Sequence, residues 1–299
     1  MNATAARTWI DALRPKTLGA SLCPVVMGAA LAWNDGVFAW LPVLAAFAGA
    51  CLLQIASNFA NDLFDGLRGT DSGERLGPQR AVGSGLVTPA AMRRALVLVL
   101  VLAAIPAVYL AMHAGWAFAV IGVLGAISAV AYTAGPAPLA YIGLGDLFVF
   151  AFFGPIAVGG TRAACDGAWT TQALVAGLAP GAIGVALLAT NNLRDRVGDA
   201  ANGKRTLVVR FGEQFGRGQI AFAHAVAAIV PFVVVVALGV PKGALAAALL
   251  AMLLMPLSMS IMRGRDGAAL NRNLAGFGAM LYLYGIVFAI GTFVSGGHR

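Results

Sequence analysis

Two stretches of the chain concentrate oxygen-bearing side chains at one kind of place. Asn61 to Asp71 reads NDLFDGLRGTD and Asn191 to Asp199 reads NNLRDRVGD, and each directly follows a long apolar run. The first stretch, with Asn58 a turn earlier, offers Asn58, Asn61, Asp62, Asp65 and Asp71. The second offers Asn191, Asn192, Asp195 and Asp199. If the helix continues past residue 60, Asn58, Asn61, Asp62 and Asp65 share a face, because positions i, i+3, i+4 and i+7 do. Asp195 and Asp199 form an i, i+4 pair. Like charges at that spacing cost a helix a few tenths of a kcal/mol, and more where water is scarce, so a cation is expected between the clusters. Mg²⁺ suits them: it prefers oxygen ligands, takes one or two carboxylates, and completes its shell with water and phosphate oxygens. His113, His224 and His298 are isolated and the three cysteines are scattered, so neither zinc spacing nor a disulfide framework is present. Two acidic clusters suggest two Mg²⁺ ions clamping a diphosphate, with Asn61, Asp62, Asp65, Asp71, Asp195 and Asp199 as expected metal ligands.

Basic residues lie close by in the sequence. Arg80 stands in the Pro/Gly-rich segment GPQRAVGSG, Lys204 and Arg205 in NGKRTL, and Arg14 and Lys16 in RPKTL. Guanidinium forks match phosphate and carboxylate oxygens. A further segment, Tyr132 to Asp146 (YTAGPAPLAYIGLGD), carries no basic residue and is rich in Gly and Pro, so its backbone is constrained. Tyr132, Tyr141 and Asp146 are candidate polar walls for an aromatic ligand, and Asn58, Asn192 and Lys16 are further candidate substrate contacts.

The elements that hold these residues are membrane helices. The chain is 60% hydrophobic and only 11% charged, about half the charge of a soluble domain. Nine apolar segments can be marked, over about 17–33, 40–60, 93–113, 116–133, 144–161, 170–190, 219–239, 243–262 and 274–295. All are too long for barrel strands and none alternates with period two, so an all-α polytopic fold is expected. Residues 1–299 read as a single domain without a linker. The formal charge of +8 is not a nucleic-acid signature. With nine spans, 17 of the 20 Lys and Arg fall in the loops on the N-terminal side and three on the other, which puts the N-terminus in the cytoplasm and the C-terminus outside. No cleavable signal peptide is expected, since the segment before the first span is long and holds Asp11 and Pro15. Arg162, at an outer connection, is expected to be dispensable.

Asp65 and Asp199 lie 134 residues apart, each after an even-numbered span. This weak repeat suggests two four-helix units plus a ninth helix, with a polar site between the units.

On these residues the chain resembles the UbiA superfamily of intramembrane prenyltransferases. Asn61, Asp65 and Asp71 resemble its first aspartate-rich motif, Asp195 and Asp199 in DRVGDAANGKRT its second, and Arg80 in QRAVGSG its arginine-led loop. LRPKTL, SNFAND, RLGPQR and YTAGPAPLAYIGLGD are most similar to the branch acting on 1,4-dihydroxy-2-naphthoate. The gap of six residues from Asp65 to Asp71 is longer than in many members. The resemblance implies a Mg²⁺-dependent transfer of a polyprenyl group from polyprenyl diphosphate to the naphthoate. Carbon dioxide would be lost and demethylmenaquinone formed, at a cytoplasm-facing site in a bacterial inner membrane. It implies Asp65, Asp195, Asp199, Arg80 and Lys204 as the catalytic set. Another acceptor, such as 4-hydroxybenzoate or homogentisate, is the alternative within the enzyme class. A secondary transporter is the alternative outside it, although its charges should lie near the bilayer midplane.

Overall fold

The computed structural model describes residues 3–69 and 80–296. Among them every regular element is helical. A short helix α1 (Ala3–Leu13) leads into α2 (Pro15–Asn34), α3 (Trp40–Arg68), α4 (Pro89–Ala114) and α5 (Ala117–Ala131). Then come α6 (Gly145–Phe152), α7 (Pro155–Ala163), α8 (Thr171–Ala201), α9 (Leu207–Phe211) and α10 (Glu213–Val236), and finally α11 (Leu245–Leu253), α12 (Pro256–Met262) and α13 (Leu270–Ser295).

Among the described residues, seven helices or closely broken helix pairs are long and apolar enough to cross a membrane. Two shorter apolar stretches, Ser21–Asn34 and Ala117–Ala131, fall on the remaining expected segments. Two expected single spans are broken: one between α6 and α7 before Pro155, the other between α11 and α12 before Pro256. Proline has no N–H to continue the ladder, and its ring crowds the preceding turn. Starts are marked locally. Thr88 Oγ1 accepts the Ala91 N–H at the start of α4, and Thr170 Oγ1 accepts the Ala173 N–H at the start of α8.

Length decides where the acidic stretches end up. α3 and α8 have 29 and 31 residues, or about 45 Å at 1.5 Å per residue, against a hydrocarbon thickness of about 30 Å. Each is thus long enough for its polar C-terminal turns, which carry Asn61 to Asp65 and Asn191 to Asp199, to extend past an apolar layer.

The packing forms two main cores. In one, α2, α7, α8, α10, α11 and α13 bury Met27, Val158, Ile183, Ile220, Phe277 and Phe288; in the other, α1, α3 and α4 bury Ala12, Phe59, Leu63 and Met92. The ninth span is built into the first core, with α13 packed on α2, α8 and α11. Small residues set the closest approaches. At the α6–α7 break, a Cβ on Gly177 would lie 2.6 Å from the Pro155 Cα, so only glycine lets α8 touch that backbone.

At the opposite end of the bundle from the acidic stretches, the expectation for Arg162 fails. Its side chain is buried and donates from Nε to Asp35 at 2.7 Å and from Nη1 to Asp166 at 2.5 Å. It ties the end of α7 to the α2–α3 connection, and a buried charge held this way is structural rather than dispensable.

Candidate active site

Depth along α3 and side-chain direction divide its polar face in two: Asn58 lies about two turns before Asp65, and Asp62 points about 60° away from Asp65. Asn61 and Asp65 point into a cavity. Asn58 and Asp62 point elsewhere. Asn58 Nδ2 donates to the Leu13 carbonyl at 3.0 Å, holding the end of α1. Asp62 accepts the backbone N–H groups of Ala81 at 3.0 Å and Val82 at 2.8 Å. Asp62 was expected as a metal ligand and Asn58 as a substrate contact. The structure instead gives Asn58 to the α1–α3 contact and Asp62 to the turn that carries Arg80.

That turn returns Arg80 to the end of α3. Its buried guanidinium is paired with the Asp65 carboxylate and donates to the Asn61 carbonyl. Asp65 is 1% exposed and also accepts from the Tyr141 hydroxyl at 3.4 Å. Asn61 Oδ1 accepts from the Thr133 hydroxyl at 3.0 Å, and Arg68 donates to the Thr133 carbonyl at 2.7 Å. These bonds fasten the Tyr132–Asp146 connection across the end of α3.

The second stretch arrives from α8. Lys204 follows its C-terminus, and its backbone N–H donates to the Asp199 carbonyl at 2.8 Å. The Lys204 ammonium stands 3.7 Å from Asp199 Oδ1 and 3.7 Å from Asp65 Oδ2. The two carboxylate oxygens thus lie within twice that distance of each other, although 134 residues separate them. Lys204 also stands 5.3 Å from the centre of the Tyr141 ring, with Arg68 at 4.8 Å from the same ring, so one aromatic ring orients cations from both halves. Asp195 is gripped by its neighbour Arg194 at 2.7 and 2.6 Å, and Arg194 also donates to Asn191 and Asn271 at 2.8 Å.

One cavity of about 670 Å³ takes in both stretches. Asn61, Asp65, Asn191, Asn192, Asp195 and Asp199 line it together with Lys204, Tyr132 and Asp146. Among the described residues no three His, Cys, Asp or Glu side chains are grouped closely enough to cage a metal ion. Mg²⁺ binds through one or two carboxylates and takes its remaining ligands from water and phosphate. The donors are all oxygens, and an ammonium already bridges Asp65 and Asp199, which marks the gap between them as a place for positive charge. Asp65, Asp195 and Asp199, with Asn61, are the residues that fit such an ion. Asp71 lies outside the described residues.

On the other wall, Asp146 at the start of α6 is buried and accepts from Gln219 Nε2 of α10 at 2.8 Å. Gln219 Oε1 is buried without a hydrogen-bond partner. Tyr132 packs over Gly145, where a Cβ would meet its hydroxyl at 3.1 Å. Burial pushes the Tyr132 phenol above its ordinary range, and Asp146, Asp199 and Asp65 push it the same way. It therefore stays a proton donor at neutral pH. Lys16 lies in the first turn of α2. Arg205, expected at the substrate, is exposed and away from the cavity lining; its backbone N–H donates to the Tyr141 carbonyl at 3.0 Å and ties the two connections together.

Sequence reasoning missed four contributors. Arg194 belongs to no motif the sequence offers, yet it sets the orientation of Asp195. Gln219 carries no motif. Asp266 and Arg196 form a bidentate pair at 2.6 Å, which Glu213 joins at 3.0 Å. Arg196 and Asp266 line the cavity. The one available signal was that Asp266 is the sole acidic residue after Glu213.

The sequence pattern of the UbiA prenyltransferase family matches residues 21–293. The chain is 40% identical over 220 residues to the 1,4-dihydroxy-2-naphthoate octaprenyltransferase of Escherichia coli, covering 69% of each chain. It is 41% identical over 231 residues to that of Mycobacterium tuberculosis, covering 77% of this chain and 78% of that one. In fold it is similar to a UbiA homolog from Archaeoglobus fulgidus solved bound to DMAPP and Mg²⁺. The TM-score is 0.57 at 14% identity, with 93% of this chain and 98% of that one covered.

Proposed function

Because the chain belongs to the UbiA prenyltransferase family, we propose that it transfers a polyprenyl group from polyprenyl diphosphate to 1,4-dihydroxy-2-naphthoate. The observation that carries the reading is the meeting of Asp65 and Asp199 across Lys204 in one cavity. The names of its relatives support the naphthoate as acceptor, and the Archaeoglobus homolog solved with a prenyl diphosphate and Mg²⁺ supports the donor and the ion. The carboxylates sit in the polar C-terminal turns of α3 and α8, as suits a diphosphate head whose tail remains in lipid. A transporter would place them nearer the midplane.

In this reading Asp65, Asp195 and Asp199, with Asn61, hold Mg²⁺. When bound, the metal neutralises the diphosphate and assists departure of the allylic oxygen. Arg80 and Lys204 donate to the oxygens on which charge grows as the C–O bond breaks. Arg194 holds Asp195 in place. The ring carbon bearing the carboxylate forms the new bond to the allylic carbon. Asp146, oriented by Gln219, takes the proton of the adjacent hydroxyl, and Tyr132 donates to the acceptor. The carboxylate leaves as carbon dioxide, its bonding pair returns to the ring, and the proton goes back to oxygen. Demethylmenaquinone is released in its reduced diol form with free diphosphate.

The protein is a multi-pass membrane protein. The distribution of Lys and Arg, 17 against three, supports a bacterial inner membrane orientation with the N-terminus and the active site on the cytoplasmic side. The test supplies membranes containing the protein with labelled polyprenyl diphosphate, Mg²⁺ and one acceptor at a time. Product with the naphthoate is expected. Product with 4-hydroxybenzoate or homogentisate and none with the naphthoate would overturn the acceptor.

A further inference from the structure

A second hollow, of about 870 Å³, lies away from the active site between α11, α12 and the start of α13. The break before Pro256 opens it by ending α11 and restarting the span as α12. Its walls are apolar side chains of the span, among them Leu253, Leu257 and Met259. Leu253 is 77% exposed, so this end of the hollow faces lipid. About ten residues further on, or roughly 15 Å along a helix, the walls become Arg263, Arg265 and Arg272. The hollow thus runs from lipid-facing hydrocarbon to three guanidinium groups.

Among the described residues no carboxylate is paired with these arginines. Among the described residues, the nearby acids are already taken: Asp266 by Arg196, and Glu213 by Arg196 and Arg217. Arg265 is held by a neutral contact, donating to Asn273 Oδ1 at 3.1 Å. Fully buried Asn273 in turn donates to the Leu257 carbonyl and to Ser260 Oγ at 2.8 Å. One guanidinium is therefore fixed to the junction of α12 and α13, while Arg263 and Arg272 stand exposed on either side of it.

We propose that the α11–α12–α13 hollow binds an anionic phospholipid, its phosphate held by Arg263, Arg265 and Arg272 and an acyl chain laid along Leu253, Leu257 and Met259. Three such positive charges select an anionic head, and the apolar wall ending at them selects a head carrying a hydrocarbon chain. The site is separate from the diphosphate site, whose basic residues are Arg80 and Lys204.

The test titrates the purified protein in detergent with short-chain phosphatidylglycerol or phosphatidylcholine of the same tails, and counts bound lipid by native mass spectrometry. Phosphatidylglycerol should be preferred. The double variant Arg263→Gln/Arg272→Gln should bind it about thirtyfold more weakly, from the usual contribution of two basic residues near an anionic head. The control double variant Arg93→Gln/Arg94→Gln, on α4, should bind it as the native protein does. Met259→Trp, which fills the hollow without removing charge, should also weaken binding, and this holds the proposal open to test if the double variant folds poorly. Unchanged binding in the arginine and tryptophan variants would overturn the proposal. So would an equal loss in the α4 control, or displacement of the lipid by inorganic phosphate at equal concentration.

Discussion

Asp62 separates two explanations of the first acidic stretch, because its spacing suits a metal ligand while its side chain faces the Arg80 turn. Its carboxylate is 3% exposed and accepts two backbone N–H groups, from Ala81 and Val82. Hydrogen bonds to a charged acceptor are worth about 1.5–3 kcal/mol each. Replacing Asp62 with Ala removes both and leaves the buried Ala81 N–H without a partner, so the native turn should be destabilised by roughly 3 kcal/mol or more. At 1.4 kcal/mol per tenfold, the fraction of molecules presenting Arg80 correctly falls by about a hundredfold or more if the open turn dominates. Asp62→Asn keeps one acceptor, and its amide nitrogen faces the second N–H, so an intermediate loss is expected. The assay is prenyl transfer against Mg²⁺ concentration for the native protein, Asp62→Ala, Asp62→Asn and Asp65→Asn. Both Asp62 variants should lose kcat at an almost unchanged half-saturating Mg²⁺ concentration, whereas Asp65→Asn should raise the Mg²⁺ requirement. If Asp62→Asn also needs much more Mg²⁺ and regains full kcat at high Mg²⁺, Asp62 is a ligand and the turn argument is refuted.

Lys204→Met should lower kcat by about 10²–10³ while easing Mg²⁺ binding, because Asp65 and Asp199 lose the ammonium between them; a weaker Mg²⁺ requirement alongside the lost rate would bear this out. Asp65→Ala, Asp195→Ala and Asp199→Ala should each abolish product formation from labelled polyprenyl diphosphate with membrane insertion intact. Arg162→Ala should destabilise the protein by about 2 kcal/mol, since a buried pair loses a partner but both carboxylates are about one-third exposed and screened; thermal unfolding in detergent reads the loss, with activity per folded molecule unchanged. The Arg196 guanidinium holds the Asp266 carboxyl below its usual range. The stability this pair contributes is therefore fully present above about pH 4 and is lost as pH falls through the lowered value. The difference in unfolding temperature between the native protein and Arg196→Gln should shrink in acid, and a difference that grows on acidification would contradict the assignment.

Much of this protein was legible along the chain because a bilayer imposes local requirements. A helix must satisfy its own backbone in lipid, so a span shows as a long, largely apolar run. The segments that carry the family resemblance are likewise contiguous, around Asp65, Arg80, Asp199 and Lys204. What each polar side chain faces was not local. Residues on the polar face of α3 differ in depth and direction, and only the packed positions of α1 and the Arg80 turn decide that Asp65 enters the cavity while Asp62 and Asn58 leave it. Asp146 finds Gln219 across 73 residues and Arg162 finds Asp35 across 127, distances at which sequence spacing carries no information. Charge and composition by themselves determined the solvent in which the chain folds and the ends of the helices that carry its carboxylates. Only the tertiary structure decided which of those carboxylates meet, because the end of α3 and the end of α8 become neighbours through helices packed between them.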